Sequence, residues 1–160
     1  MAALSLAAAC APRYDGRVFR GDGFAFRLAN VPRAWRQLET TNTGIALRDE
    51  ENRGTALVNG RCGRDEDVPL KALTQHLFFA FTERNIEQEE LVPFDDREAL
   101  HTTLTAKLDG VPMRFDVWVL KRDGCVYDLL YFAPRDGFER GAPAFLELVR
   151  GFTSKVPHGD

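Results

Sequence analysis

The sequence predicts an α+β domain in which helices pack on an antiparallel β-sheet. Three observations carry this. Period-two segments in the second half meet through Asp109-Gly110 and Asp123-Gly124, dipeptides that favour tight hairpin turns because both residues tolerate positive φ. Leu70, Leu73, Leu77, Phe78 and Phe81 recur at helical spacing and make one apolar stripe that must be covered. A second stripe, Phe145, Leu148, Val149 and Phe152, falls near the C-terminus. The 160 residues suffice for one domain, 17–155, with a short tail over 156–160.

Each element has its own justification. Residues 11–16 (APRYDG) read as a tether. Val18-Phe19-Arg20 and the alternating Phe24–Leu28 run flank Gly21-Asp22-Gly23 as a hairpin. Pro32 ends the second strand, because proline cannot donate to a ladder, and Trp35 follows as an anchor. Gly44–Arg48 and Thr55–Asn59 form a second hairpin around the charged DEENRG turn. Asp67 and Pro69 suit the cap and first turn of the helix that carries the 70–81 stripe, with His76 beside the stripe. LVPF, from Leu91, reads as a short strand. Leu100, Leu104, Ala106 and Leu108 share one parity. In the next strand Val111, Met113, Phe115, Val117 and Val119 point one way, and Arg114, Asp116 and Trp118 the other. CVYDLLYFA is apolar on both faces and should be central in the sheet. A loop over 134–141 and a closing helix over 142–152 complete the chain.

The first ten residues stand apart. MAALSLAAAC has no charged side chain and ends in small residues before Cys10, as the end of a secretory signal does. Leu6-Ala7-Ala8-Ala9-Cys10 resembles a bacterial lipobox, in which cleavage precedes a lipid-bearing cysteine. Ala7 stands where lipoboxes usually carry leucine. The resemblance implies lipidation at Cys10, residues 1–10 as a shortened signal peptide whose basic part lies upstream of Met1, and a lipid-anchored place in the bacterial cell envelope. The alternative is an Ala-rich N-terminus on a cytoplasmic protein. Three cysteines are an odd number; with Cys10 lipidated, Cys62 and Cys125 remain as a candidate disulfide. Such a bond persists in oxidising compartments and, closing about 63 residues, would stabilise by roughly 4 kcal/mol in the chain-entropy model. Two separately buried thiols are the other outcome.

Charge and motifs exclude more than they assign. Net charge is −3 with scattered Lys and Arg, so the basic stripe that nucleic-acid binding needs is missing. No apolar run approaches the roughly 20 residues of a membrane helix. His76, His101 and His158 lie far apart, and Cys62 and Cys125 lack zinc-site spacing, so no metal and no cofactor is expected. The only serines are Ser5 and Ser154, outside any nucleophile motif. A Cys–His dyad drawn from Cys62 or Cys125 with His76 or His101 would need an exposed thiol of lowered pKa. The acidic groups Asp65-Glu66-Asp67 and Asp95-Asp96-Glu98 suit a helix start and a loop. Asp128 is the odd residue, a carboxylate among apolar neighbours on the central strand. It has either a buried partner on a neighbouring strand or a place in a pocket. Tyr127 and Tyr131 share the opposite face, and Trp118 can join either side.

The order of elements then resembles a known family. F-x-F-x-L, VP-x-x-W, a hairpin, a helix opening at PL-x-x-L, strands joined by DG turns with VYDLLYFA last, and a helix ending in GF are similar to the PsbP-like (Mog-like) fold, an α/β/α sandwich. That family includes the photosystem II extrinsic protein, the Ran-binding Mog protein and bacterial lipoproteins. The resemblance spans about residues 17–154 and implies a non-catalytic binding or assembly module for a protein partner or small ligand. A cystatin-like or ferredoxin-like sheet fits the same pattern. The functional alternatives are a cytosolic Mog-like regulator and a thiol-dependent enzyme.

Overall fold

A computed structural model describes residues 13–38, 40–63 and 67–157. In chain order the elements are β1 (Val18–Arg20), β2 (Ala25–Leu28), β3 (Arg36–Gln37), β4 (Gly44–Asp49), β5 (Gly54–Cys62), α1 (Leu70–Leu77), β6 (Thr82–Phe94), β7 (Arg97–Leu108), β8 (Val111–Arg122), β9 (Cys125–Ala133), α2 (Arg135–Arg150) and β10 (Phe152–Thr153). Seven strands form an antiparallel sheet in the order β3-β4-β5-β9-β8-β7-β6, and β1-β2-β10 form a smaller antiparallel sheet.

The large sheet is the middle layer of an α+β sandwich. On one face α1 packs against β7 and β8, with Leu73 and Phe78 meeting Phe115, Val117, Val119 and Leu130. On the other face α2 and the small sheet share the cover, and Phe19, Phe26, Phe138, Phe145 and Phe152 meet Leu120, Tyr127, Leu129 and Tyr131. β9 lies between β5 and β8 and is buried along almost its whole length, as its two-sided apolar pattern requires. Both Asp-Gly turns form with positive φ: 50° and 78° at Asp109 and Gly110, 50° and 76° at Asp123 and Gly124.

Three boundaries differ from expectation. α1 starts after Pro69, with no side-chain cap, so Asp67 does not cap it; it stops at Leu77, and Phe78–Phe81 continue the apolar stripe as a turn. The strand expected at LVPF is 13 residues long. It is the outer edge of the sheet, exposed along most of its length, so TERNIEQEE carries no apolar alternation to betray it. α2 begins at Arg135, running through the stretch expected as a loop and through Pro143, while Phe152 belongs to β10. Gly137 and Gly141, which read as breakers, are contact points. A Cβ on Gly137 would lie 2.0 Å from the Asn52 carbonyl oxygen, and one on Gly141 would lie 1.8 Å from the Tyr131 hydroxyl.

Candidate functional site: a cleft beside the disulfide

At one end of the sandwich the β8–β9 turn, the β6–β7 turn, the β1–β2 hairpin and the chain after β10 come together. Antiparallel register sets Cys62 directly opposite Cys125, and the two form a disulfide with Cα atoms 4.0 Å apart. The Cys62 sulfur lies 3.5 Å from the Gly23 carbonyl oxygen, which places the bond under the β1–β2 hairpin.

The β6–β7 turn is made by Asp95 and Asp96, both at positive φ (49° and 57°). The buried Asp95 carboxylate accepts from Thr153 Oγ1 at 2.7 Å, from the Ser154 amide at 2.8 Å and from Ser154 Oγ. Arg122 Nη2 donates to the Asp95 carbonyl and stands 3.6 Å from its carboxylate. Lys155 pairs with Asp96. These bonds fasten the C-terminal segment to the β6–β7 turn.

Between that segment and the β1–β2 hairpin lies a cleft of about 400 Å³, lined by Phe24, Arg122, Cys125, Tyr127, Lys155 and Pro157 among others. A second hollow of about 350 Å³ adjoins it and shares Arg122, Asp123 and Cys125. Tyr127 is held edge-on by Phe24 and Phe152, with ring centres 6.0 and 5.9 Å away. Its hydroxyl has no hydrogen-bond partner among the described residues. Burial raises the phenol's pKa; Arg122 opposes this, and Asp123 and Asp95 add to it. The Arg122 Nε is also buried without a partner.

Of the four residues grouped as a pocket, strand parity sets Asp128 apart, and of the other three only Tyr127 lines the cleft. Tyr127, Tyr131 and Trp118 face α2 and the small sheet; Asp128 faces the other way. Tyr131 is enclosed between Trp35 and Phe145, with ring centres 5.6 and 5.5 Å away, and donates to Asp49 Oδ2 at 2.9 Å. Burial raises its pKa, and the hydrogen bond to Asp49 and that residue's charge raise it further. Trp118 stacks on His101 at 4.1 Å and donates to Asp116 Oδ1 at 2.9 Å. The same oxygen lies 2.8 Å from His101 Nε2. Asp128 is 3% exposed, accepts from Asn59 Nδ2 at 2.8 Å and lies 3.4 Å from Arg61 Nη1, both on β5. Burial pushes its carboxyl up, against the pull of Asn59 and Arg61. Cys10 and His158 lie outside the described residues.

Two groups escaped sequence reasoning. Arg122 was findable, since a two-residue turn at Asp123-Gly124 pairs it with Cys125. The His101–Asp116–Trp118 cluster needed the β7–β8 register, which sets His101 opposite Trp118.

No protein-family model and no curated protein matches the sequence. Solved structures do resemble the fold. The chain is 11% identical to cyanobacterial PsbP (CyanoP) from Synechocystis sp. PCC 6803, with a TM-score of 0.57, over 91% of this chain and 97% of that one. LpqN, involved in cell envelope biogenesis of Mycobacterium tuberculosis, is 17% identical with a TM-score of 0.57, over 83% of this chain and 86% of that one. A Bacteroides thetaiotaomicron protein is 13% identical with a TM-score of 0.58, over 89% of this chain, which spans 50% of the length of that protein. At these identities the likeness shows the PsbP-like fold.

Proposed function

We propose that this chain is a non-catalytic binding or assembly module of the bacterial cell envelope, tethered by lipid on Cys10 and serving a protein partner or small ligand at the membrane surface. The disulfide carries this reading. A bonded Cys62–Cys125 pair suits an oxidising compartment, and it leaves Cys10, at the end of LSLAAAC, as the remaining cysteine. The same bond occupies both thiols that a thiol-dependent enzyme would use. The involvement of LpqN in cell envelope biogenesis agrees with this compartment. Lipid anchoring confines a domain to the membrane plane and raises its effective concentration toward partners there.

The test is labelled palmitate fed to the native host expressing the full gene with its upstream codons. The expected result is label in the membrane fraction, absent in Cys10→Ala. An unlabelled, reduced protein in the cytosol would instead favour the Mog-like regulator and defeat the envelope reading.

A further inference from the structure

We propose that the cleft beside the disulfide binds a small organic carboxylate, whose oxygen accepts a hydrogen bond from the Tyr127 hydroxyl beside the Arg122 guanidinium and whose apolar body rests on Phe24 and Pro157. This deepens the binding role proposed above and rests on it.

Tyr127 is 4% exposed, lines the cleft and makes no hydrogen bond with any described residue. The ring is buried but the hydroxyl is not enclosed, so the partner it lacks within the fold comes from the cleft, as a water or a ligand. The hydroxyl is a donor at neutral pH, as a phenol of ordinary pKa near 10 is, and burial raises that value further.

Arg122 supplies the second observation independently. Its side chain is 11% exposed, and among the described residues it donates only through Nη2, to Asp95; Nε is enclosed, whereas Nη1 has no acceptor among them and is not enclosed. The Asp95 carboxylate pairs with it at 3.6 Å, beyond hydrogen-bond distance, and takes its hydrogen bonds from Thr153 and Ser154. The other nearby acid, Asp123, pairs with Arg97 at 3.5 Å. The fork therefore keeps donors that an incoming carboxylate oxygen can take, and it is close enough to Tyr127 to act on the phenol's titration. Lys155 also lines the cleft, with its ammonium paired to Asp96.

The walls set the rest of the ligand. Phe24, Val156 and Pro157 are apolar, and about 400 Å³ is the lower range of small-molecule sites. A single ring bearing one carboxylate matches that volume and polarity.

Phenylacetate is the probe, titrated into the full-length protein while the amide resonances of Gly23, Cys125 and Ser154 are followed by NMR. Saturable shifts at these amides are expected. Tyr127→Phe, which deletes one oxygen, should raise Kd about tenfold, the worth of one charge-assisted hydrogen bond. Phenethylammonium, with the same ring and the opposite charge, should leave the three amides unmoved. The proposal is overturned if phenylacetate shifts nothing at millimolar concentration, if Tyr127→Phe binds it unchanged, or if phenethylammonium binds as well. This titration on purified protein is blind to the lipid anchor, and palmitate labelling is blind to the cleft, so either reading can fail while the other stands.

Discussion

Tyr127 and Tyr131 sit four residues apart on one face of β9, yet their hydroxyls have opposite fates. Tyr131 is wholly buried, its oxygen lodged between Gly54 and Gly141 and bonded to Asp49. Asp49 is in turn held by the amide and side chain of Asn52, whose oxygen accepts from Arg140 Nε at 3.2 Å. Tyr127 has the same chemistry and nearly the same burial, but it lines a cleft and its hydroxyl has no partner among the described residues. One phenol is bonded across the sheet beneath α2, and the other has no bond to a described residue. A polar group the fold does not need is where function has room to act.

The two ends of β9 are also fastened differently, by a covalent bond at Cys125 and by a polar network at Tyr131. Breaking the covalent fastening should have the largest effect. Reduction, or Cys62→Ser with Cys125→Ser, should cost about 4 kcal/mol, because freeing 63 residues restores entropy to the unfolded chain. Urea unfolding with and without reductant checks this. β5 and β9 remain paired through their backbones on both sides of the bond, so the reduced protein should still fold. A loss below about 1 kcal/mol would mean that the reduced unfolded chain is already compact there.

The polar fastening breaks at Gly141. Alanine is the better helix former by about 1 kcal/mol, but here its Cβ would stand 1.8 Å from the Tyr131 hydroxyl and 2.8 Å from Asp49 Oδ2. α2 must lift or the phenol must leave its bond, and a net loss of about 3 kcal/mol is expected in the same urea measurement. A neutral or stabilising Gly141→Ala would show that α2 does not sit this close.

The comparison also shows what a sequence can and cannot disclose. Parity placed both tyrosines on one face, and the two-sided apolar run of β9 placed the strand at the centre, because burial alone sets those patterns. Whether each hydroxyl has a partner depends on Asp49 and Gly141, respectively 82 residues before and ten after Tyr131 in the chain, and on how closely α2 approaches. The glycines that permit the approach look like helix breakers when read locally, which is why the start of α2 was expected as loop. β6 was half hidden for a different reason: an exposed edge strand has no buried face to impose alternation. Cys62 and Cys125 were legible as candidates for pairing, and the β5–β9 register turns them into a bond. The cleft itself is built by turns distant in sequence; of its lining, Tyr127 and Cys125 stand out in the sequence, and Arg122 beside its Asp-Gly turn was within reach.

The smallest perturbation is the sharpest one, the removal of each hydroxyl in turn. Tyr131→Phe leaves Asp49 Oδ2 with the Asn52 amide alone, and should cost about 2 kcal/mol, as for a buried hydrogen bond to a charged group. It should also change the alkaline limb of stability. The Tyr131 phenol is raised in the folded protein, so its contribution is complete below the ordinary tyrosine range near pH 10 and is lost as pH climbs through the folded value. In Tyr131→Phe that loss should shrink. Tyr127→Phe removes a hydroxyl with no partner among the described residues, and unfolding in urea at neutral pH should stay within about 0.5 kcal/mol of the parent. Equal costs for the two variants would mean that Tyr127 has a bond in solution that its neighbours on β9 and the C-terminal segment do not provide. A cost at Tyr131 with none at Tyr127 would leave the Tyr127 hydroxyl free to serve a ligand without any debt to stability.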